Sequence, residues 1–205
     1  MLIIVIISYL LGSIPTAYIV AKVNRVNIFE VGSGNMGATN VIRAVGPRWG
    51  LAVLMFDVLK GVIAILIALQ IKPGSNASAM TVAAISVIIG HNWSLFAGLL
   101  TGTIRGGKGA ATAFGTMLMI APFYVLAITT AVGLIIVART RYVSLAVLTS
   151  LALALVWITI LVLQRAMAPS FIIYTAAVML LLIFRFRDNI DRLVRGTERR
   201  LGDRA

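Results

Sequence analysis

The chain has no cysteine, one histidine and only six acidic residues among 205. Without cysteine there can be no disulfide, no thiolate nucleophile and no Cys-ligated metal. A single histidine, His91, with so few carboxylates cannot build a metal cage, so neither a metal nor a cofactor is expected. Cations are also missing ahead of the first apolar run, which starts at Leu2 and is followed, not preceded, by Lys22 and Arg25. An export signal that is cleaved off carries its cations first. The order here predicts a retained helix, with the N-terminus outside and the chain entering the cytoplasm at Lys22.

What the chain does have is apolar surface and positive charge. Hydrophobic residues make up 60% of it and the mean hydropathy is +1.04, too apolar for the core of one soluble domain. Lys and Arg number 18 and the net charge is +12. In a soluble protein that excess would point to nucleic acid. In a membrane protein it follows from the bias of basic residues toward cytoplasmic loops and anionic headgroups, so membrane lipids and no nucleic acid are the expected partners.

A span needs about 20 apolar residues. Runs of that kind predict an all-α polytopic membrane protein with seven transmembrane helices, at roughly 2–21, 50–71, 79–100, 109–120, 123–138, 142–163 and 170–184. Residues 109–138 are long for one span and short for two, with Pro122 between the halves. Reading them as two puts Lys108 and Arg141 on the same side. All of the 18 cations except Lys72 and Arg165 then gather at the cytoplasmic face. The cost is a short, partly re-entrant fourth helix buried in protein. Residues 185–205 read as a basic amphipathic helix lying on the inner surface, with the C-terminus cytoplasmic. The whole of 1–205 reads as a single domain without internal repeats.

The expected inner loops carry the chemistry. Residues 31–46, VGSGNMGATNVIRAVG, interleave glycines with Ser33, Asn35, Asn40 and Arg43. Glycines allow close approach of backbone N–H groups, and short hydroxyls and amides add donors, a combination suited to phosphate oxygens. A shorter run would read as an ordinary polar turn. Residues 102–112, GTIRGGKGAAT, set Arg105 and Lys108 among glycines at a helix N-terminus, where free N–H groups and the helix dipole favour anions. Gly102 to Lys108 even fits the nucleotide P-loop spacing. Gly109 stands where Ser or Thr should hold magnesium, which excludes an NTPase. RTRYVS, residues 139–144, adds Arg139, Arg141 and Ser144, and the tail opens with RFRDNIDRLVRGTE. Convergence of these segments on one surface suits an anionic, phosphorylated substrate.

Other polar residues admit plainer readings. Asp57 and Lys60, three apart on a helix, suit a structural ion pair. His91 fits either a packed hydrogen-bonding role or a place in the site.

Seven pieces in order, YLLGSIPTAYIVAK, GSGNMGATNV with Arg43, DVLKG, GHNWSLF, GGKGAAT, RYVSLA and RLVRGTE, resemble the bacterial acyl-phosphate:glycerol-3-phosphate acyltransferases, often called PlsY. The resemblance implies a seven-helix enzyme of the bacterial inner membrane whose site faces the cytoplasm. It would move a fatty acyl group from acyl phosphate to the 1-hydroxyl of glycerol 3-phosphate, releasing lysophosphatidic acid and phosphate. Carried over motif by motif, the catalytic residues would be Ser33, Arg43, Lys108 and Ser144. Gly34, Asn35, Asn40, Gly106, Gly107 and Asn189 would bind phosphate or substrate. Lys108 and Arg43 would hold the two phosphates, and a monomer is expected. One position departs from the family, whose members carry His three residues before the Asn of the tail motif. This chain has Phe186 there, which can neither bind phosphate nor carry a proton.

Two alternatives are weaker. A transporter or non-catalytic lipid-phosphate binder could use the same loops, but Asp57 is the only carboxylate placed for ion coupling. An acyltransferase with an H-x-x-x-x-D base would need Asp five residues after His91, where Phe96 stands.

Overall fold

In the computed structural model, residues 1–74 and 76–202 are described, Asn76 by its backbone alone. Among the described residues the chain is all helical: α1 (Leu2–Gly12), α2 (Thr16–Val23), α3 (Ala38–Ala44), α4 (Pro47–Ile71), α5 (Asn76–Asn92), α6 (Leu95–Thr101), α7 (Ala110–Ile120), α8 (Phe123–Thr140), α9 (Val143–Leu163) and α10 (Phe171–Val194). Among the described residues, four segments are long and apolar enough to cross a membrane, Leu2–Val23 as a broken pair, α4, α8 and α9. Phe123, Leu134, Leu163 and Leu180 stand exposed on the outside, as lipid-facing side chains do and soluble cores do not. This is a membrane protein.

Two of the expected spans are broken, and the breaks belong together. The run 2–21 splits at Ser13-Ile14-Pro15, because a proline inside a helix lacks an N–H and its ring clashes with the carbonyl four residues back. The run 79–100 splits at Trp93-Ser94, where Ser94 caps α6 by accepting the Ala97 N–H at 3.0 Å. Ser94 Oγ also donates to the Ser13 carbonyl at 2.5 Å, and Ser13 Oγ accepts the Leu95 N–H at 3.3 Å. Each break therefore satisfies backbone groups that the other leaves open, which is what allows irregular chain inside a membrane bundle.

The split at Ala121-Pro122 separates α7 from α8 where expected, and α7 is short. The C-terminal region differs from the expectation. No separate surface helix starts at residue 185; α10 runs on to Val194 because Phe186 and Asn189 are buried and continue its packed face. Residues 203–205 of the expected tail helix lie outside the described residues. The 31–46 segment is also not all loop, since α3 occupies its second half.

Close helix crossings rest on glycine. A Cβ on Gly12 would come within 2.1 Å of the Val87 carbonyl oxygen and one on Gly90 equally close to that of Tyr9, so α1 and α5 touch backbone to backbone. Gly61 of α4 and Gly115 of α7 form a second such crossing, against Thr112 and Val58. With no hydrophobic driving force between helices in lipid, close packing of small residues is what holds them together. The main apolar core includes Ala64, Val87, Met117, Leu155 and Tyr174, and the Tyr174 hydroxyl meets Thr116 Oγ1 at 2.9 Å. A smaller cluster of Ala17, Ile28, Met36, Val41 and Val53 lies under the first glycine-rich segment.

Candidate active site

Loop 1, residues 24–37, is shaped from within. Asn40, buried in the first turns of α3, accepts the Ser33 N–H on Oδ1 at 2.9 Å. Its Nδ2 is shared among the carbonyls of Ile28 (3.2 Å), Val31 (3.1 Å) and Asn35 (3.2 Å). One amide thus ties together four points of the loop, and its polar atoms are spent on backbone. Asn35 Nδ2 donates to the Ser33 carbonyl at 3.1 Å, and Gly34 takes a positive φ of 64° that bends the chain back.

Loop 2, residues 102–109, is shaped from outside. It is pinned to the end of α5, where the Gly107 N–H donates to the His91 carbonyl at 3.1 Å and the Ser94 N–H donates to the Arg105 carbonyl at 3.2 Å. A Cβ on Gly107 would sit 2.1 Å from His91 Nε2, and one on Gly106 would sit 2.2 Å from the Asn92 carbonyl oxygen. From α10, Arg185 donates to both carbonyls: Nε to Gly107 at 3.1 Å, and one terminal nitrogen to Gly107 at 2.6 Å and to Gly106 at 3.2 Å. The same guanidinium lies over the Trp93 ring, 5.3 Å from its centroid. Arg105 lies 5.0 Å over Phe29, which joins loop 2 to loop 1.

Beneath loop 2 is a buried polar group. Lys60 Nζ is 2.8 Å from Asp57 and 2.6 Å from His91 Nδ1, while Asp57 is 3.7 Å from His91 and accepts from Thr16 Oγ1 at 3.4 Å. The i, i+3 pair is present as its spacing predicts, and His91 joins it while its Nε2 edge supports Gly107. The packed hydrogen-bonding reading of His91 is the one its contacts show.

Phe29, Gly34, Asn35, Asn92, Trp93, Ile104, Arg105, Gly106 and Arg185 line an open groove of about 280 Å³. Gly34, Asn35 and Gly106 are expected site residues, and Arg105 and Arg185 bring two positive charges. Asn92 is fully buried and neither atom of its side-chain amide has a partner. A buried amide without partners is costly in a resting protein and suits a place where a ligand or water binds.

Beside the groove, Lys108 Nζ donates to Asn189 Oδ1. Asn189 Nδ2 donates to Glu198 at 2.7 Å, and Glu198 pairs with Arg192 at 2.8 Å. Burial, then the like charge of Arg192, push the Lys108 ammonium down from its usual range to about 8. Ser33 lies in loop 1, held by Asn40 of α3. Arg43 and Ser144 do not line the groove. Arg43 reaches the Arg200 carbonyl at 3.4 Å, and Ser144, in the first turn of α9, is buried with its hydroxyl unpartnered. The Leu201 carbonyl accepts from Arg141 Nε at 2.9 Å, while Arg200 stacks 5.5 Å over Tyr142. The chain after α10 therefore connects α3 to the α8–α9 turn.

Apart from the buried group under loop 2, these contacts bring loop 1, loop 2, the later half of α10 and the α8–α9 turn together at one end of the bundle. In the sequence Arg185 reads as tail charge, whereas in the fold it clamps loop 2. Its signal is its place four residues before Asn189 on one helix face, and only the fold shows what that face meets. Among the described residues, no three His, Asp or Glu side chains come together as a metal cage.

The family model for glycerol-3-phosphate acyltransferase matches residues 2–196. The glycerol-3-phosphate acyltransferase of Halalkalibacterium halodurans is 41% identical over 197 residues, covering 95% of this chain and 92% of its own. That of a Thermus thermophilus strain is 44% identical over 200 residues, covering 97% and 94%. The crystal structure of PlsY, an integral membrane glycerol 3-phosphate acyltransferase, in its glycerol 3-phosphate form superimposes with a TM-score of 0.86 at 37% identity, covering 98% of this chain and 95% of that one. With a family model over nearly the whole chain, relatives 41% and 44% identical with near-complete coverage of both chains, and the same helical fold, this chain belongs to the glycerol-3-phosphate acyltransferase family.

Proposed function

We propose that this chain is a membrane acyltransferase that moves a fatty acyl group from acyl phosphate to the 1-hydroxyl of glycerol 3-phosphate. The observation that carries the reading is the groove where loops 1 and 2 meet, lined by Gly34, Asn35 and Gly106, charged by Arg105 and Arg185, and flanked by the Lys108–Asn189 pair. Both substrates are phosphorylated, and both need donors and cations at fixed points.

The hydroxyl oxygen of glycerol 3-phosphate attacks the acyl carbonyl, the bond from that carbon to the phosphate oxygen breaks, and phosphate leaves with the electron pair. The hydroxyl proton passes to a phosphate oxygen of the substrates themselves. Acyl phosphate is already an activated mixed anhydride, so the residues contribute position and charge stabilisation. Lys108, beside the groove, holds one phosphate and Arg43, off the groove's walls, the other, with Ser33 and, also off the walls, Ser144 as hydroxyl donors and Gly34, Asn35, Gly106, Gly107 and Asn189 nearer the groove. Asn40 acts by holding loop 1, because its amide is spent on that loop. The acyl chain lies along the apolar bundle surface in the bilayer.

We further read seven passes, with α1–α2 as a broken first and α5–α6 as a broken third, in the inner membrane of a bacterium. The N-terminus is outside and the site faces the cytoplasm. Contacts of loop 1 with loop 2, of loop 2 with the later half of α10, and of the chain after α10 with α3 and the α8–α9 turn support this, because an even number of passes must separate segments that meet at one end. The excess of cations at that end favours the inner face. The chain 1–205 forms one domain and works as a monomer.

The test is direct. Purified protein is given glycerol 3-phosphate with acyl phosphate or with acyl-CoA, and lysophosphatidic acid is measured. Product from acyl phosphate alone is expected. No product from either donor overturns the reading, and product from acyl-CoA alone overturns the choice of donor.

A further inference from the structure

Phe186 occupies the position where a polar ring would be expected from the resemblance, yet it is 5% exposed and lies against the ammonium of the site. Phe186 and Asn189 are three residues apart on α10 and face Lys108 together. Asn189 Oδ1 accepts from Lys108 Nζ, and the same Nζ lies 5.0 Å from the centroid of the Phe186 ring. An aromatic face carries the negative end of a quadrupole and attracts a cation within about 6 Å, most strongly where water is excluded. Lys108 is such a cation, half-buried and hydrogen-bonded to a neutral amide.

We propose that Phe186 is a positioning residue for acyl transfer, holding the Lys108 ammonium charged and aimed at substrate phosphate through the face of its ring. The inference rests on the reading of Lys108 as a phosphate-binding cation. It makes Phe186 a working part of this site, not a defect in it. An imidazole there would present two nitrogens to Lys108, and when protonated would repel it.

Packing alone would also bury Phe186, since it belongs to the main apolar core. A substitution series separates the two roles. Replacing Phe186 with phenylalanines bearing one, two and three ring fluorines removes negative charge from the ring face with little change in shape. We expect kcat/KM for lysophosphatidic acid formation to fall stepwise with fluorine number, by about threefold to thirtyfold at the end of the series. The alkaline limb of the pH–rate profile should move to lower pH as well. The charged groups facing Lys108 are Arg192 and Arg185, which oppose its charge, and Glu198 and Asp188, which favour it. All of them stay in place through the series, so a moving limb reports the ring. Phe186→Tyr keeps the ring face and should keep most of the rate, whereas Phe186→Leu should lose as much as the trifluoro variant.

A flat series with an unmoved limb overturns the proposal. Lys108→Ala run alongside distinguishes the two failures. If it is inactive while the series is flat, only the role of Phe186 is wrong; if it keeps full rate, the placement of the phosphate site is wrong too.

Discussion

Loops 1 and 2 both present glycines to the same groove, but they are built in opposite ways. Loop 1 is braced by one of its own neighbours, Asn40, through hydrogen bonds to four backbone groups. Loop 2 makes little of its own shape. It takes its form from the end of α5 beneath it and from Arg185 of α10 above it, a partner 78 residues away. A loop braced from within can be disturbed without much effect elsewhere. A loop braced from outside registers any shift of the helices that hold it, so loop 2 is the one whose geometry depends on the whole bundle.

The largest effect expected from that difference is at Gly107. Gly107→Ala puts a methyl group 2.1 Å from His91 Nε2 and 2.4 Å from the Met36 carbonyl oxygen. Neither can yield easily, since His91 is bonded to Lys60 and Met36 lies in the cluster under loop 1. Displacement of about 1 Å at a reacting centre costs on the order of a hundredfold in rate. Activity should fall at least that far in a product assay, while Gly37→Ala in loop 1, whose Cβ meets nothing within 4 Å, should be mild. Equal losses at the two glycines would break the comparison.

Next in size is Asn40→Ala. It removes every side-chain bond by which Asn40 braces loop 1 and leaves the Ser33 N–H and three carbonyls to find other partners, at a cost of about 1–3 kcal/mol. The thermal midpoint in detergent should drop and the rate should fall roughly tenfold. Asn40→Asp keeps the acceptor for Ser33 but has no hydrogen for the carbonyls, so it should recover only part of the loss.

These two sites also show what could be read from the chain alone. Asn40 follows closely on the stretch it braces and falls inside residues 31–46, so the sequence marks it, although as a substrate ligand. A loop reading cannot tell an amide that faces substrate from one that faces its own backbone. The α7–α8 boundary was legible because Pro122 interrupts an apolar run of ambiguous length. The breaks at Ser13-Pro15 and Trp93-Ser94 were not, because hydropathy averages across both and the Ser13–Ser94 hydrogen bonds that join them link residues distant in sequence. The clamp by Arg185 was hidden for the same reason. In a chain with so many cations, one that bonds carbonyls looks like one that faces lipid headgroups until the helices are assembled.

Arg185→Lys tests the outer brace with the charge kept. A lysine cannot reach the Gly106 and Gly107 carbonyls as a planar fork or stack on Trp93 in the same way. The rate should fall about fivefold, from a change in kcat more than in KM, because loop 2 is misplaced while the positive charge remains. A KM effect alone would mean that Arg185 acts as a substrate cation and that loop 2 holds its own shape.

The smallest effect separates the loops by their cations. Arg43, beside loop 1, keeps its charge at any pH at which the protein survives, because guanidinium is not deprotonated in proteins. Lys108, in loop 2, is lowered to about 8 by burial and by Arg192. The sign follows from the amine: it is charged below that value and neutral above it, so phosphate binding through Lys108 weakens as pH rises. At pH 8 about half of the ammonium is lost, and a rate that depends on it should be about twofold below its plateau. Above that the fall should approach tenfold per pH unit, once the spontaneous loss of acyl phosphate is subtracted. Lys108→Arg should remove this limb even if its plateau is lower, and Arg43→Lys should leave the limb near pH 8 in place. A limb that persists in Lys108→Arg would assign the titration to another group and leave loop 2 without the titrating cation that sets it apart from loop 1.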